Sequence, residues 1–148
     1  MSEDSGAALP PYVLDVSVLA EVARGDRGTM LLLAELDSRG RPLILPALAV
    51  TGASLDMRDD AAGELLEGVG RLEGAFTAPL RDAEQAVALA AVIAKTGLDP
   101  WDAHAAAVAD ASVCHILTLN GTKWRQHARD LDEPLYFIEI ADPDDEDR

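Results

Sequence analysis

The sequence has little cysteine, few aromatic residues and few basic residues, and each shortage excludes a class of protein. Cys114 is the only cysteine among 148 residues, so one chain holds no disulfide framework and no cysteine-based zinc site. Aromatic residues make up 4% of the chain, so leucine, valine and alanine must build its core. Twelve basic residues stand against 27 acidic ones, a net charge of −15 that disfavours nucleic acid as a partner.

The sequence also lacks a membrane span and a signal peptide. The most apolar stretch, residues 43–55, is interrupted by Pro46, Thr51 and Gly52, whereas a membrane helix needs about 20 apolar residues. Residues 1–5 carry two acidic side chains and no positive charge. We therefore expect a cytoplasmic protein with no membrane partner.

Apolar runs of strand length alternate with longer helical patterns over residues 11–140, which we expect to form one domain. Runs that predict strands lie at residues 12–14, 43–45, 75–77, 115–118 and 135–138. Helical patterns lie at about residues 17–24, 30–36, 46–57, 61–72, 83–95, 99–110 and 122–128. This alternation predicts an α/β three-layer sandwich with a mostly parallel central sheet of four to five strands. Residues 1–10 and the acidic tail 141–148 are predicted to be disordered.

Sites in parallel sheets form beyond the carboxyl ends of the strands, a rule that selects Asp15, the residues from Pro46 onward, and Thr118-Leu119-Asn120. Asp15 ends the first strand, where its carboxylate either points into the crevice or caps the next helix in competition with Ser17. Thr118 either keeps a hydroxyl near Asp15 or simply closes its strand.

Asp102 stands at another junction between a loop and a helix. Asp99, Pro100 and Asp102 resemble a capping box, which alone explains an acidic residue there. The other reading is that Asp102 faces the same crevice as Asp15, where two carboxylates can hold a divalent cation.

Three stretches of the sequence resemble the PIN domain, the fold of VapC-like toxin ribonucleases. They are Tyr12-Val13-Leu14-Asp15-Val16-Ser17-Val18-Leu19, Leu43-Ile44-Leu45-Pro46-Ala47-Leu48-Ala49-Val50, and Asp102-Ala103-His104-Ala105-Ala106-Ala107-Val108-Ala109 followed by Ile116-Leu117-Thr118-Leu119-Asn120. The resemblance covers about residues 11–140. It rests on the order of these stretches, because none of them is diagnostic alone.

The resemblance implies three or four carboxylates that hold one or two Mg²⁺ or Mn²⁺ ions for water attack on an RNA phosphodiester. It assigns two of these carboxylates to Asp15 and Asp102. Where the family has its second acid, this chain has Gly52. Asp56, one helical turn further on, and Asp99 are the remaining candidate metal ligands. We therefore expect any Mg or Mn to be weakly bound.

The end of the fourth strand departs from the family pattern in a similar way. Asn120, a neutral amide, fills the acidic position after Thr118, and Lys123 fills the alternative acidic position. We expect Lys123 to be a solvated helix lysine. The alternative is that its ammonium reaches the crevice and neutralises a remaining carboxylate. The predicted pocket around the two acids consists of Ser17, Gly52, Thr118, Asn120 and Lys123.

Histidine and tryptophan residues add no further catalytic constellation. His104 and His115 are isolated from other ligands, so we expect histidines at the core edge or surface rather than a zinc site. Trp101 and Trp124 are predicted to serve packing, because the anionic surroundings disfavour base stacking.

We expect an inactive or weakly active PIN-like protein that acts through protein contacts, because too few acids remain. The resemblance implies a homodimer, and an antitoxin-like protein is a further candidate partner. The alternative function is a Mg/Mn-dependent VapC-type endoribonuclease of a toxin–antitoxin pair, which recruits Asp56 or Asp99. An acidic decoy of nucleic acid rests on net charge alone. A receiver domain fails on spacing, since Thr118 and Lys123 follow the same strand.

Overall fold

The computed structural model describes residues 9–127 and 135–140, which fold into an α/β arrangement of three layers. Its five strands are β1 (Tyr12–Leu14), β2 (Leu43–Pro46), β3 (Ala75–Ala78), β4 (His115–Thr118) and β5 (Phe137–Glu139). Its seven helices are α1 (Val16–Ala23), α2 (Arg27–Ser38), α3 (Ala47–Met57), α4 (Asp60–Gly70), α5 (Ala83–Thr96), α6 (Pro100–Ser112) and α7 (Gly121–His127). The predicted fold class is confirmed.

The strands form one sheet in the order β3-β2-β1-β4-β5, and every neighbouring pair is parallel. Side chains alternate between the two faces, as the period of a strand requires. Leu14 faces one hydrophobic cluster and Val13 the other. Because both clusters are apolar, the central strands read as continuous apolar runs in the sequence.

Helices cover both faces of the sheet. The cluster around Leu14 includes buried residues of α1, α3 and α4, such as Leu19, Ala49 and Leu66. The cluster around Val13 includes buried residues of α5, α6 and α7, among them four alanines of α6. Small alanine side chains let α6 approach the sheet and α3 closely. The core is therefore built from leucine, valine and alanine, as the composition predicts.

The position of the candidate site follows from the strand order. β1 pairs with β2, the next strand in the chain, and on its other side with β4. The chain therefore switches sides at β1, and the carboxyl ends of β1 and β4 diverge into the helices α1 and α7. A crevice at this switch point is where parallel α/β sheets bind ligands.

Several predicted bounds differ from the structure by a few residues. Pro46, predicted to lie in a helix, is the last residue of β2 and precedes α3 in an extended conformation. The last strand begins at Phe137 rather than at residue 135. The disorder predicted for residues 1–10 and 141–148 falls outside the described residues, except at exposed Leu9 and Pro10. The predicted end of α7 at residue 128 also lies outside them.

Among the described residues, no helix combines the length and the apolar content that crossing a bilayer requires.

Helix α6 ends on a residue that suits its conformation poorly. Val113 closes α6 with φ 51° and ψ 56°, in the left-handed region, and 88% of its surface is exposed. A β-branched side chain is strained there, and the conformation costs an L-residue about 1–2 kcal/mol. Exposure leaves Val113 little packing energy to offset that strain.

We expect Val113→Gly to raise the free energy of unfolding by about 1 kcal/mol, because glycine adopts this conformation freely. The matched control is Val87→Gly, which places glycine inside α5 at another exposed valine and should lower stability by about 1 kcal/mol. Urea denaturation monitored by circular dichroism measures both changes. Equal destabilisation by the two substitutions would contradict the strain at Val113.

Candidate functional site

Asp15 is completely buried directly after β1, with both carboxylate oxygens bonded. Its Oδ1 accepts hydrogen bonds from the backbone N–H of Ser17 (3.0 Å), from the N–H of Val18 (3.2 Å) and from the Ser17 hydroxyl (2.6 Å). Asp15, not Ser17, is therefore the N-cap of α1. Its Oδ2 accepts from the indole N–H of Trp124 at 2.8 Å. These donors fix the carboxylate in place.

Lys123 brings a positive charge to the two predicted acids. Its Nζ donates a hydrogen bond to Oδ1 of Asp102 at 2.8 Å and lies 3.7 Å from Oδ2 of Asp15. The lysine side chain keeps 17% of its surface exposed, and that of Asp102 keeps 6%. The prediction of a solvated lysine is therefore wrong, and the alternative, in which the ammonium enters the crevice, describes the structure.

The turn between β4 and α7 orients Lys123. The Ser17 hydroxyl accepts a hydrogen bond from the N–H of Leu119 (2.9 Å) and lies 3.3 Å from the Thr118 hydroxyl oxygen. The Thr118 oxygen accepts from the N–H of Asn120 (2.9 Å), whose side-chain oxygen accepts from the N–H of Lys123 (3.2 Å). Four of the predicted pocket residues are thus connected by hydrogen bonds. Ser17, Thr118 and Asn120 together hold Lys123 in position.

Burial disfavours the charged form of Asp102. Loss of solvent raises the pKa of the Asp102 carboxyl, and the negative charges of Asp15 and Asp99 act in the same direction. The hydrogen bond and the charge of Lys123 lower that pKa without cancelling the effect of burial. One ammonium therefore serves two buried carboxyl groups.

Gly52 occupies the place where the resemblance implies another acid, and a side chain there has no room. A Cβ atom at Gly52 would lie 2.9 Å from Cγ and Cδ2 of the Trp101 ring. Glycine is thus what lets the Trp101 indole pack against α3. A glutamate at this position would require the Trp101 ring to move, because the indole fills the space next to Gly52.

The two remaining candidate ligands do not complete a metal site. Asp56 is exposed, and its Oδ2 accepts a hydrogen bond from Nη2 of Arg24 at 2.8 Å. Asp99 is exposed at the start of α6 and makes no side-chain capping bond, so the capping-box interpretation of Asp102 also fails. Within residues 9–127 and 135–140, no three aspartate, glutamate, histidine or cysteine side chains are grouped as metal ligands. The residues present do not fit the implied Mg or Mn centre.

His104 joins the two helices that border the site. It is buried in α6, and its Nδ1 accepts a hydrogen bond from the backbone N–H of Leu48 at 3.2 Å. Leu48 lies in the first turn of α3, a helix that has no side-chain cap of its own. The bond requires an unprotonated Nδ1, and burial lowers the pKa of His104 below its ordinary value. His104 therefore acts as a neutral cap for α3.

Sequence reasoning gave Trp101, Trp124 and His104 no role at the site. Both tryptophans pack, as predicted, but the Trp124 indole also donates to Asp15, and the Trp101 ring covers Gly52. The hydrogen bond from Trp124 to Asp15 could have been anticipated from the sequence. A buried indole N–H needs an acceptor, and Trp124 is the neighbour of Lys123.

No protein-family model matches this chain, and no curated protein shows significant similarity to it. The chemistry of the site is therefore the basis of the functional conclusion.

We expect Lys123→Met to lower the free energy of unfolding by about 2–4 kcal/mol near neutral pH, because it leaves two buried carboxylates without a cation. The double variant Lys123→Met/Asp102→Asn removes both partners and should recover most of that loss. Urea denaturation of the three proteins measures the difference. Equal stability of the single and double variants would show that the pair is not coupled.

Stability should also fall as the pH drops below about 6.5, the ordinary pKa of histidine. The unfolded chain binds a proton at His104 in this range, whereas the folded chain, with its lowered pKa, does not. Each pH unit down to the folded-state pKa costs at most about 1.4 kcal/mol. Denaturation between pH 5 and 7.5 should show a smaller slope in His104→Asn, whose Oδ1 takes the place of the imidazole Nδ1 as acceptor for the N–H of Leu48. An equal slope in the natural protein and in His104→Asn would contradict this account.

Proposed function

We propose that this chain is a PIN-like domain in which a lysine ammonium takes the place of the metal, so that it acts through protein contacts and not as a nuclease. The observation that carries the proposal is the position of Lys123 Nζ, 2.8 Å from Asp102 and 3.7 Å from Asp15. These are the two acids that the resemblance assigns to the metal site.

Electrostatics support the proposal. Two like unit charges 4 Å apart repel by roughly 4 kcal/mol at an effective dielectric constant of about 20, and a dication doubles that figure. Binding of Mg²⁺ beside the ammonium would therefore require Lys123 to leave or to lose its proton. Mg²⁺ also dehydrates reluctantly and needs several oxygen ligands, and Gly52 and Asn120 supply no carboxylate.

The surface of this chain suits protein partners better than nucleic acid. A net charge of −15 repels a phosphate backbone, while several large apolar side chains are exposed among the described residues. They include Leu31, Leu55, Phe76, Val87, Val113 and Tyr136. We infer a homodimer, with an antitoxin-like protein as a second candidate partner. Sedimentation equilibrium of the purified chain tests the dimer.

A cytoplasmic location belongs to the same proposal. Cys114 is a buried free thiol whose pKa is raised by burial, which is compatible with a reducing compartment.

A second candidate function is a Mg/Mn-dependent endoribonuclease of the VapC type. One observation favours it: Asp15 and Asp102 come close enough to share one ammonium, so two acids of the implied site converge. The donor set does not fit the metal while Lys123 lies between them, so this function would require the lysine to be displaced.

The proposal predicts that the purified protein does not cleave single-stranded RNA in the presence of Mg²⁺ or Mn²⁺ above the level of Asp15→Asn. It also predicts that Mn²⁺ leaves the thermal unfolding temperature of the natural protein unchanged. Lys123→Ala vacates the crevice, so Mn²⁺ should stabilise this variant. Lys123→Arg keeps a positive charge and serves as the matched control without a response.

Two outcomes would overturn the proposal. Asp15-dependent RNA cleavage by the natural protein would establish the second candidate function. Stabilisation of the natural protein and of Lys123→Arg by Mn²⁺, as strong as that of Lys123→Ala, would mean that the ammonium does not block the cation. The double variant Lys123→Ala/Asp15→Asn should lose the Mn²⁺ response, which locates the ion in the crevice.

A further inference from the structure

A cavity of about 420 Å³ lies between α3, α4 and the carboxyl halves of β2 and β3. Its apolar lining comes from Leu45, Val50 and Leu66. None of its lining residues belongs to the crevice around Lys123. Its volume falls within the range of roughly 300–1,000 Å³ typical of small-molecule sites.

Helix α4 keeps one wall of this cavity open with glycine. Gly63 lies in the interior of α4 and lines the cavity, and a glycine there costs about 1 kcal/mol relative to alanine. No steric reason requires it, because a Cβ atom at Gly63 would meet nothing within 4 Å, and its φ is not positive. Gly68, in the same helix, is equally unobstructed but does not line the cavity. At Gly63 the absence of a side chain leaves this wall of the cavity open.

Hydrogen-bonding groups line this space and are open to solvent. The hydroxyls of Ser54 and Thr77 line the cavity, and neither has a hydrogen-bond partner among the described residues. Glu67 and Arg71, also in the lining, form an exposed i,i+4 ion pair at 3.7 Å, which is too long for a hydrogen bond. Because such an exposed pair contributes little stability, a ligand can replace it.

We propose that this cavity binds a small zwitterion with an apolar body, of the class of the apolar α-amino acids. A ligand of one charge would satisfy either Glu67 or Arg71 and be repelled by the other, whereas a zwitterion places its ammonium on the first and its carboxylate on the second. The apolar side chain then packs on Val50, above the buried Leu45 and Leu66. Both charged side chains are 70% exposed and little apolar surface is left to cover, so the affinity is weak.

The test is a titration of the full chain, followed by heteronuclear NMR, with L-leucine and L-phenylalanine as probes. Two matched probes lack one charge each: 4-methylpentanoate has no ammonium, and 3-methylbutylamine has no carboxylate. Leucine should bind about fivefold more tightly than either, because each exposed ion pair contributes up to about 1 kcal/mol. Equal binding of all three would overturn the zwitterion, and no shifts at the cavity with any probe would overturn the site.

A pair of glycine variants locates the site independently. Gly63→Leu fills the cavity and improves the helix, so it should abolish leucine binding while raising the thermal unfolding temperature. Gly68→Leu, in the same helix but outside the cavity, should retain binding. Arg71→Gln keeps the cavity open and should remove the preference for leucine over 3-methylbutylamine. Undiminished leucine binding by Gly63→Leu, or equal loss by Gly68→Leu, would refute the assignment.

Discussion

The ammonium of Lys123 lies between two buried carboxylates that come from different parts of the chain. Asp15 follows β1, Asp102 belongs to α6, and Lys123 belongs to α7, so the ion pairs join three elements at the carboxyl end of the sheet. Removing charges from water is costly, and the raised pKa of Asp102 shows that the lysine only partly offsets this cost. Such a cluster adds little net stability, but it fixes the relative positions of its elements, since any other arrangement leaves a buried charge unpaired.

The surrounding hydrogen bonds explain how a flexible lysine is held in one place. Lysine has four rotatable bonds, and ordering it costs conformational entropy. The turn after β4 limits that cost, because its bonds among Ser17, Thr118 and Asn120 fix the backbone from which Lys123 starts. Trp124, the next residue, is buried and bonded to Asp15, which further fixes the first turns of α7 beside the crevice. The fixed position of the Lys123 backbone, more than electrostatic attraction, determines which ion pairs form.

The sequence predicts the backbone of this arrangement well and its side chains poorly. Alternating apolar runs and helical patterns predict a parallel α/β sheet, and the rule for strand ends singles out Asp15 and Thr118 before any contact is known. The direction of the Lys123 side chain could not be predicted, because a lysine in the first turn of a helix is equally compatible with solvent. The role of Trp101 was also hidden, since its contact with Gly52 joins positions 49 residues apart on two helices. Pairings over such distances follow from packing and not from local pattern.

The features of the crevice that differ from the metal site implied by the resemblance are physically linked to one another. Gly52 lacks a side chain, and the Trp101 ring occupies the space that an acid there would need. Asp15 and Asp102 share a single positive charge, which Lys123 supplies from within the chain. Replacing the lysine alone therefore vacates the crevice without restoring the missing ligands, and placing glutamate at position 52 alone meets the indole. Because these features accommodate one another, the crevice is a consistent structure of its own, in which Lys123 is the partner of both acids.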